Sequence, residues 1–183
     1  NGLDAWSKFS EKSLSTSQDK LTLFYGSGTM AHNSDFIDVL LSPLDRLLTD
    51  YPQLRFVIVG YLRLPKAFLQ NHATQIEHLP AIKDIKSYWA LLEKADIAIA
   101  VLNDDAINAC KSEIKWLEAA CFEIPCVLSS TEQYRRVIHD DQDALLASDS
   151  EQWYTQLKRL IEHADLRERI GKNAKQRILN EYN

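Results

Sequence analysis

The sequence is poor in several residue types, and each shortage excludes something. It has only 3 cysteines, 5 glycines and 1 methionine among 183 residues. Cys110, Cys121 and Cys126 are an odd number standing close together, too few for a disulfide scaffold, so a reducing, cytoplasmic setting is expected. No apolar run approaches the ~20 residues that a membrane span requires. No basic stretch followed by an apolar one opens the chain, and its first residue is Asn1, so a piece of a longer protein is expected. Positive charge is also short: 21 Lys+Arg against 26 Asp+Glu leave a net charge of −5. A general nucleic-acid binder needs a basic surface to displace counterions from phosphates, so that class is excluded. A small local basic pocket is not.

What is present suits one domain with a sizeable core, at 45% hydrophobic and 26% charged residues. Residues 1–20 are polar, rich in Ser and Lys, and their apolar residues Leu3, Trp6, Phe9 and Leu14 keep no period. They read as a linker or loosely docked arm, leaving 21–183 as the folded domain. Short apolar runs over 21–25, 55–60, 75–80, 96–101, 125–130 and 143–147 predict strands. Helical spacing fills the intervals, beginning with Phe36, Ile37, Leu40, Leu41, Leu44, Leu47 and Leu48. Asn33 or Ser34 is placed to cap that first helix, and Pro43 inside it is expected to kink or divide it. Two amphipathic helices close the chain, near 151–164 and 165–182. Strand and helix in strict alternation predict an α/β, doubly wound, mostly parallel, Rossmann-like sheet.

Ligands of such sheets bind beyond the strands' carboxyl ends, which directs attention to the loops. The first is GSGTMAH, Gly26 to His32. Its glycines let backbone amides approach an anion beside a helix start. The dinucleotide fingerprint is broken by Ala31, and no Walker lysine follows. A turn that simply needs glycine remains open. The second loop leads into NACKSEIKWLEAACFEIPCVLSS, Asn108 to Ser130. Ser112 is placed to cap a helix there, on which Lys111, Lys115 and Glu118 share a face. Ile114, Leu117 and Cys121 are then expected to face the sheet. Cations at a helix start suit a diphosphate, and a carboxylate two turns on suits a sugar diol. Spacing alone equally allows a solvated face.

The segment KSEIKWLEAACFEIPCVLSS resembles the donor-site segment of group 1 (family 4 type) retaining glycosyltransferases of the GT-B fold. That family carries a Glu, seven residues, a second Glu with Ala, then a Gly-x-Pro-Val-Val turn. A bacterial branch reads Asn-x-x-Lys-Ser-x-x-Lys-x-x-Glu, matched by Asn108, Lys111, Ser112, Lys115 and Glu118. YGSGT, IVG and YRRVIHDDQDALLA resemble that branch too, and NGLD at Asn1 to Asp4 resembles its interdomain Asn-Gly-x-Asp. The resemblance runs from about Leu21 to the end. It implies the C-terminal, donor-binding half of an enzyme that moves a sugar from a UDP- or GDP-linked donor to a glycan, lipid or small molecule. Glu118 would bind the ribose, with Lys111 and Glu118 as the catalytic pair. Gly26, Ser27, Gly28, Thr29, His32, Gly60, Asn108, Lys111, Ser112 and Lys115 would hold the donor, and Ile82 its base. An acceptor-binding N-terminal half is the implied partner, and any membrane contact would come through it. A role in bacterial polysaccharide synthesis follows from the same branch.

The chain departs from that pattern at three places. Cys110 stands at the first acidic position, and Ser27 and His32 stand where the family has Arg and Lys. Glu123 or Ile124 replaces the glycine of the turn. No metal or other cofactor is expected, since Asp104-Asp105 is adjacent and not spaced for a metal loop. His32, His72, His78, His139 and His163 show no metal or triad spacing, and no Gly-x-Ser-x-Gly elbow occurs. The cysteines are read as structural, and Trp89, Trp116 and Trp153 as core or interface residues. A non-catalytic Rossmann-like nucleotide-binding or assembly module stays open as the alternative. A small nucleotide-binding hydrolase or an epimerase is disfavoured by the missing Walker, dinucleotide and elbow motifs.

Overall fold

Runs of apolar residues cut short by glycine, serine or proline become strands here, and the amphipathic runs between them become helices. The computed structural model describes residues 20–102 and 113–182. Nearly all of the expected arm lies outside these, as do Asn108, Cys110, Lys111 and Ser112. The first half runs β1 (Leu21–Ser27), a 3-10 turn (Met30–His32), α1 (Asn33–Asp50), β2 (Leu54–Gly60), α2 (Lys66–Asn71) and β3 (Ile76–Leu79). The second runs α3 (Ile85–Leu92), β4 (Ile97–Ala100), α4 (Ile114–Cys121), β5 (Cys126–Ser129), α5 (Glu132–Val137), β6 (Leu145–Ala147), α6 (Ser150–Glu162) and α7 (Ala164–Glu181).

The strands form one six-stranded sheet in the order β3-β2-β1-β4-β5-β6, and every neighbouring pair is parallel. That is the expected doubly wound α/β architecture. Because side chains alternate along a strand, Leu23 and Tyr25 of β1 enter one core with Phe56, Ile58 and α1. Phe24 enters the other, with Val57, Trp116 and Leu128. Trp116 and Trp153 are fully buried, one on each side.

Pro43 neither divides nor ends α1, which runs through it as a single 18-residue helix. Proline removes the amide that would bond the carbonyl four residues back, here Val39. Ser150 Oγ donates to that carbonyl at 2.9 Å, so the break is mended from α6. The expected cap also moves. Thr29 Oγ1 accepts from Ala31 N at 3.2 Å and starts the 3-10 turn, while Asn33 Oδ1 accepts from Arg63 N at 2.6 Å.

The helix α4 turns a different side to the sheet from the one its spacing suggested. Trp116, Ala119 and Ala120 are fully buried, whereas Ile114 is 49% exposed and Leu117 only half-buried; Cys121 is buried as expected. Trp116 decides the rotation, because its indole packs against Tyr182 and Arg177 and donates from Nε1 to Asp143 O at 3.0 Å. At the other end of α4 the missing glycine costs no distortion of the turn. Glu123 takes a left-handed backbone, φ 56°, while Ile124 N bonds Ala119 O at 3.0 Å and Glu123 N bonds Ala120 O at 3.1 Å. Those two bonds make a Schellman cap with glutamate in the usual glycine position.

Candidate functional site

The strand order reverses between β1 and β4, and two adjoining cavities open there at the carboxyl edge of the sheet. Gly26, Ser27, Gly28 and Lys115 line both. The first, about 200 Å³, continues to Thr29, Leu102 and Tyr134. The second, about 170 Å³, continues to Ile82, Tyr88 and Glu118. The loop between β1 and α1 is braced from within, since Ser27 Oγ donates to Thr29 O at 2.8 Å.

Two helices bring the charged and polar groups. Asp84 caps α3 by accepting from Ser87 N at 2.8 Å and Ser87 Oγ at 2.6 Å. Those bonds, the side-chain one first, hold the Asp84 carboxyl below the usual carboxylate range. Capping there sets Tyr88 one turn into the helix, its ring edge-on to Phe24 at 5.7 Å. From α4, Lys115 Nζ reaches Tyr88 Oη at 3.0 Å and Glu118 Oε2 at 3.1 Å, and sits 4.7 Å from the Tyr88 ring centre.

The side chain of Glu118 is 8% exposed and that of Lys115 35%, so the solvated face that spacing allowed is not what forms. Burial opposes the charge on Lys115, but facing Tyr88 and Glu118 outweigh it and raise its titration above the ordinary lysine range. The ammonium therefore stays charged. Burial likewise raises the Tyr88 phenol and pushes that of Tyr25, in the first cavity, to about 12.

Most of the residues singled out by sequence meet here: Gly26, Ser27, Gly28, Thr29, Ile82, Lys115 and Glu118 line the cavities. His32 lies in the 3-10 turn that follows. Gly60 stands behind the loop, where Tyr61 N bonds Ser27 O at 3.0 Å, and supports the loop from β2. Lys111, Ser112 and Asn108 lie outside the described residues, so the shared face is seen for Lys115 and Glu118 alone. The N-cap of α4 is Glu113, without a side-chain capping bond, in place of the expected Ser112. Tyr88 was not anticipated. It sits just beyond the loop that holds Ile82, and no spacing rule links it to α4.

Among the described residues, no three His, Cys, Asp or Glu side chains are grouped to hold a metal ion. Cys121 and Cys126 are free and buried. Burial pushes the Cys121 thiol to about 12 and that of Cys126 higher still, and a protonated thiol is a poor nucleophile. Iodoacetamide at neutral pH is expected to leave both unlabelled in the folded protein and to label both in denaturant, read by peptide mass spectrometry.

The family model described as glycosyl transferase-like matches residues 38–183. The chain belongs to this glycosyl transferase-like family. No match is found among the curated proteins. The C-terminal domain of a group 1 family glycosyl transferase (LpcC) from Francisella tularensis has a TM-score of 0.69 at 19% identity, covering 89% of this chain and 86% of that one. Anabaena Alr3699/HepE in complex with UDP gives a TM-score of 0.72 at 13% identity, covering 90% of this chain and 45% of that one. A glycosyltransferase from Rickettsia africae ESF-5 gives 0.69 at 13%, covering 99% of this chain and 46% of that one. This glycosyl transferase-like chain thus spans most of the first structure and less than half the length of the other two. The shared fold is the Rossmann-like half of a GT-B glycosyltransferase. Among the described residues no helix is long and apolar enough to cross a membrane.

Proposed function

We propose that this chain is the donor-binding half of a retaining glycosyltransferase of hexosyl type, taking a nucleoside-diphosphate sugar in the paired cavities. The observation that carries the reading is Lys115: one half-buried cation, pinned by Tyr88 and Glu118, lines both cavities where they meet the glycine loop. A diphosphate between nucleoside and sugar places its charge at such a junction. Alr3699/HepE, of the same fold, has been solved with UDP and with UDP-glucose, which favours a uridine or similar donor here.

The chemistry follows from the charges. As the glycosidic bond breaks, the leaving diphosphate gains negative charge, and a cation already fixed beside it lowers the barrier. Lys115 supplies that charge, with Lys111 assigned the same role by resemblance, so the reading includes no metal or other cofactor. Glu118 uses Oε2 for Lys115, which leaves its other oxygen to accept from the ribose diol. Ile82 lines the second cavity, which Thr29 does not, and the base is assigned there.

The acceptor is assigned to a second, N-terminal half docked over the same edge. Met30 and Tyr61, within three residues of a strand's carboxyl end, and Ile85 and Ile114, which line the cavities there, are large apolar side chains left 38–49% exposed, as a partner face requires. The acceptor is a glycan, lipid or small molecule, and bacterial polysaccharide synthesis in the cytoplasm is the proposed setting.

Calorimetry with UDP, GDP and their sugars tests the reading, with binding to at least one expected and little sugar transfer by this half alone. A folded protein that binds none of them overturns it. Glu118→Ala is expected to weaken binding by about 1–3 kcal/mol, the worth of hydrogen bonds to a charged group. Unchanged affinity would remove Glu118 from the site.

A further inference from the structure

We infer that the hydroxyl of Tyr88 is a ligand-binding group, donating a hydrogen bond to the phosphate nearest the ribose of a bound nucleotide. The inference rests on the nucleotide-binding reading and adds a residue that neither spacing nor resemblance supplied.

An ammonium has only donors, so in the 3.0 Å contact Lys115 donates and Tyr88 Oη accepts. The hydroxyl therefore keeps its own hydrogen to give away. Among the described residues Tyr88 Oη makes no hydrogen bond as a donor, and its contact with Lys115 is one in which it accepts. A phenol 9% exposed with an unused O–H is uncommon, because a buried donor without an acceptor is costly. Burial also raises the phenol's titration, so the proton is present at every physiological pH.

Position decides where the proton goes. A side-chain carbon on Gly26 would lie 2.3 Å from Tyr88 Oη, so the hydroxyl rests against bare backbone at the end of β1, where the glycine loop starts. Tyr88 lines the second cavity together with that loop, Lys115 and Glu118. Glu118 is an acceptor for ribose hydroxyls, and the loop is the start of the diphosphate path. The hydroxyl lies between them, beside a fixed cation. An anionic oxygen placed there receives one N–H from Lys115 and one O–H from Tyr88, a pairing stronger than either with a neutral acceptor.

The test is a panel of nucleoside, nucleoside monophosphate and nucleoside diphosphate with uracil or guanine, whichever the wild type binds. The diphosphate and monophosphate are measured by calorimetry and the nucleoside by ligand-observed NMR. Tyr88→Phe is expected to weaken mono- and diphosphate about tenfold each and to leave the nucleoside unchanged. Gly26→Ala, whose new carbon displaces the hydroxyl, is expected to show the same phosphate-selective loss with a thermal midpoint recorded alongside. Equal loss for all three ligands, or no loss for any, overturns the assignment of Tyr88 and leaves the nucleotide reading intact. Failure of the wild type to bind any member of either panel overturns both.

Discussion

Lys115→Met is expected to weaken nucleoside-diphosphate binding about a hundredfold, or ~2.7 kcal/mol. The ammonium has three N–H donors, of which Tyr88 and Glu118 take two, leaving one for a ligand of the cavities that Lys115 lines. Truncating one partner of a hydrogen-bonded charge pair typically costs 2–5 kcal/mol. The lower part of that range applies here, because the Lys115 side chain is 35% exposed and partly screened. Stability falls as well, since the Glu118 carboxylate, 8% exposed, loses its counter-charge. Lys115→Met combined with Glu118→Gln isolates the stability effect: with no carboxylate left unpaired, stability recovers towards the wild type. Calorimetry and urea denaturation on the wild type and the two variants measure binding and stability. Binding by Lys115→Met within threefold of the wild type would remove the lysine from the site.

Gly60→Ala is expected to cost about 3 kcal/mol of folding stability, roughly 6–12 °C in Tm for a chain of this size. The backbone at Gly60 has φ 109°, a region that a side chain strains. A carbon added there would also lie 1.8 Å from Ser27 O. Ser27 O is the acceptor for Tyr61 N, so β1 and β2 would have to separate where the glycine loop begins. The damage reaches the ligand site through that loop, and nucleotide affinity is expected to fall with the Tm. A variant with wild-type Tm would show that the two strands yield at no cost.

The alternation of strands and helices was legible because each fully buried strand is a short apolar run and each helix keeps its own period. Spacing also brought Lys115 and Glu118 together, since i and i+3 share a helical face whatever lies around them. It did not show which face of α4 meets the sheet. Ile114, Leu117 and Cys121 are as apolar as Trp116, Ala119 and Ala120, and the choice is made by distant partners of the buried Trp116 indole, Asp143 O, Arg177 and Tyr182. Pro43 misled for a similar reason. The hydroxyl that satisfies Val39 comes from Ser150, far along the chain. Tyr88 was invisible because its role depends on α3 crossing beside α4, a tertiary fact with no local signature.

The reversal of strand order between β1 and β4 has a consequence for the life of the protein in a cell. Gly26, Ile82, Tyr88, Lys115 and Glu118 come from separate stretches and meet only when β4 lies beside β1. No half-folded form keeps the cavities, so anything bound there is held by the native state alone. Free ligand at a hundred times its Kd would then add ~2.7 kcal/mol to folding, whichever helix a mutation weakens. Supply of the ligand would set how much of the chain escapes proteolysis, making its abundance a readout of that ligand.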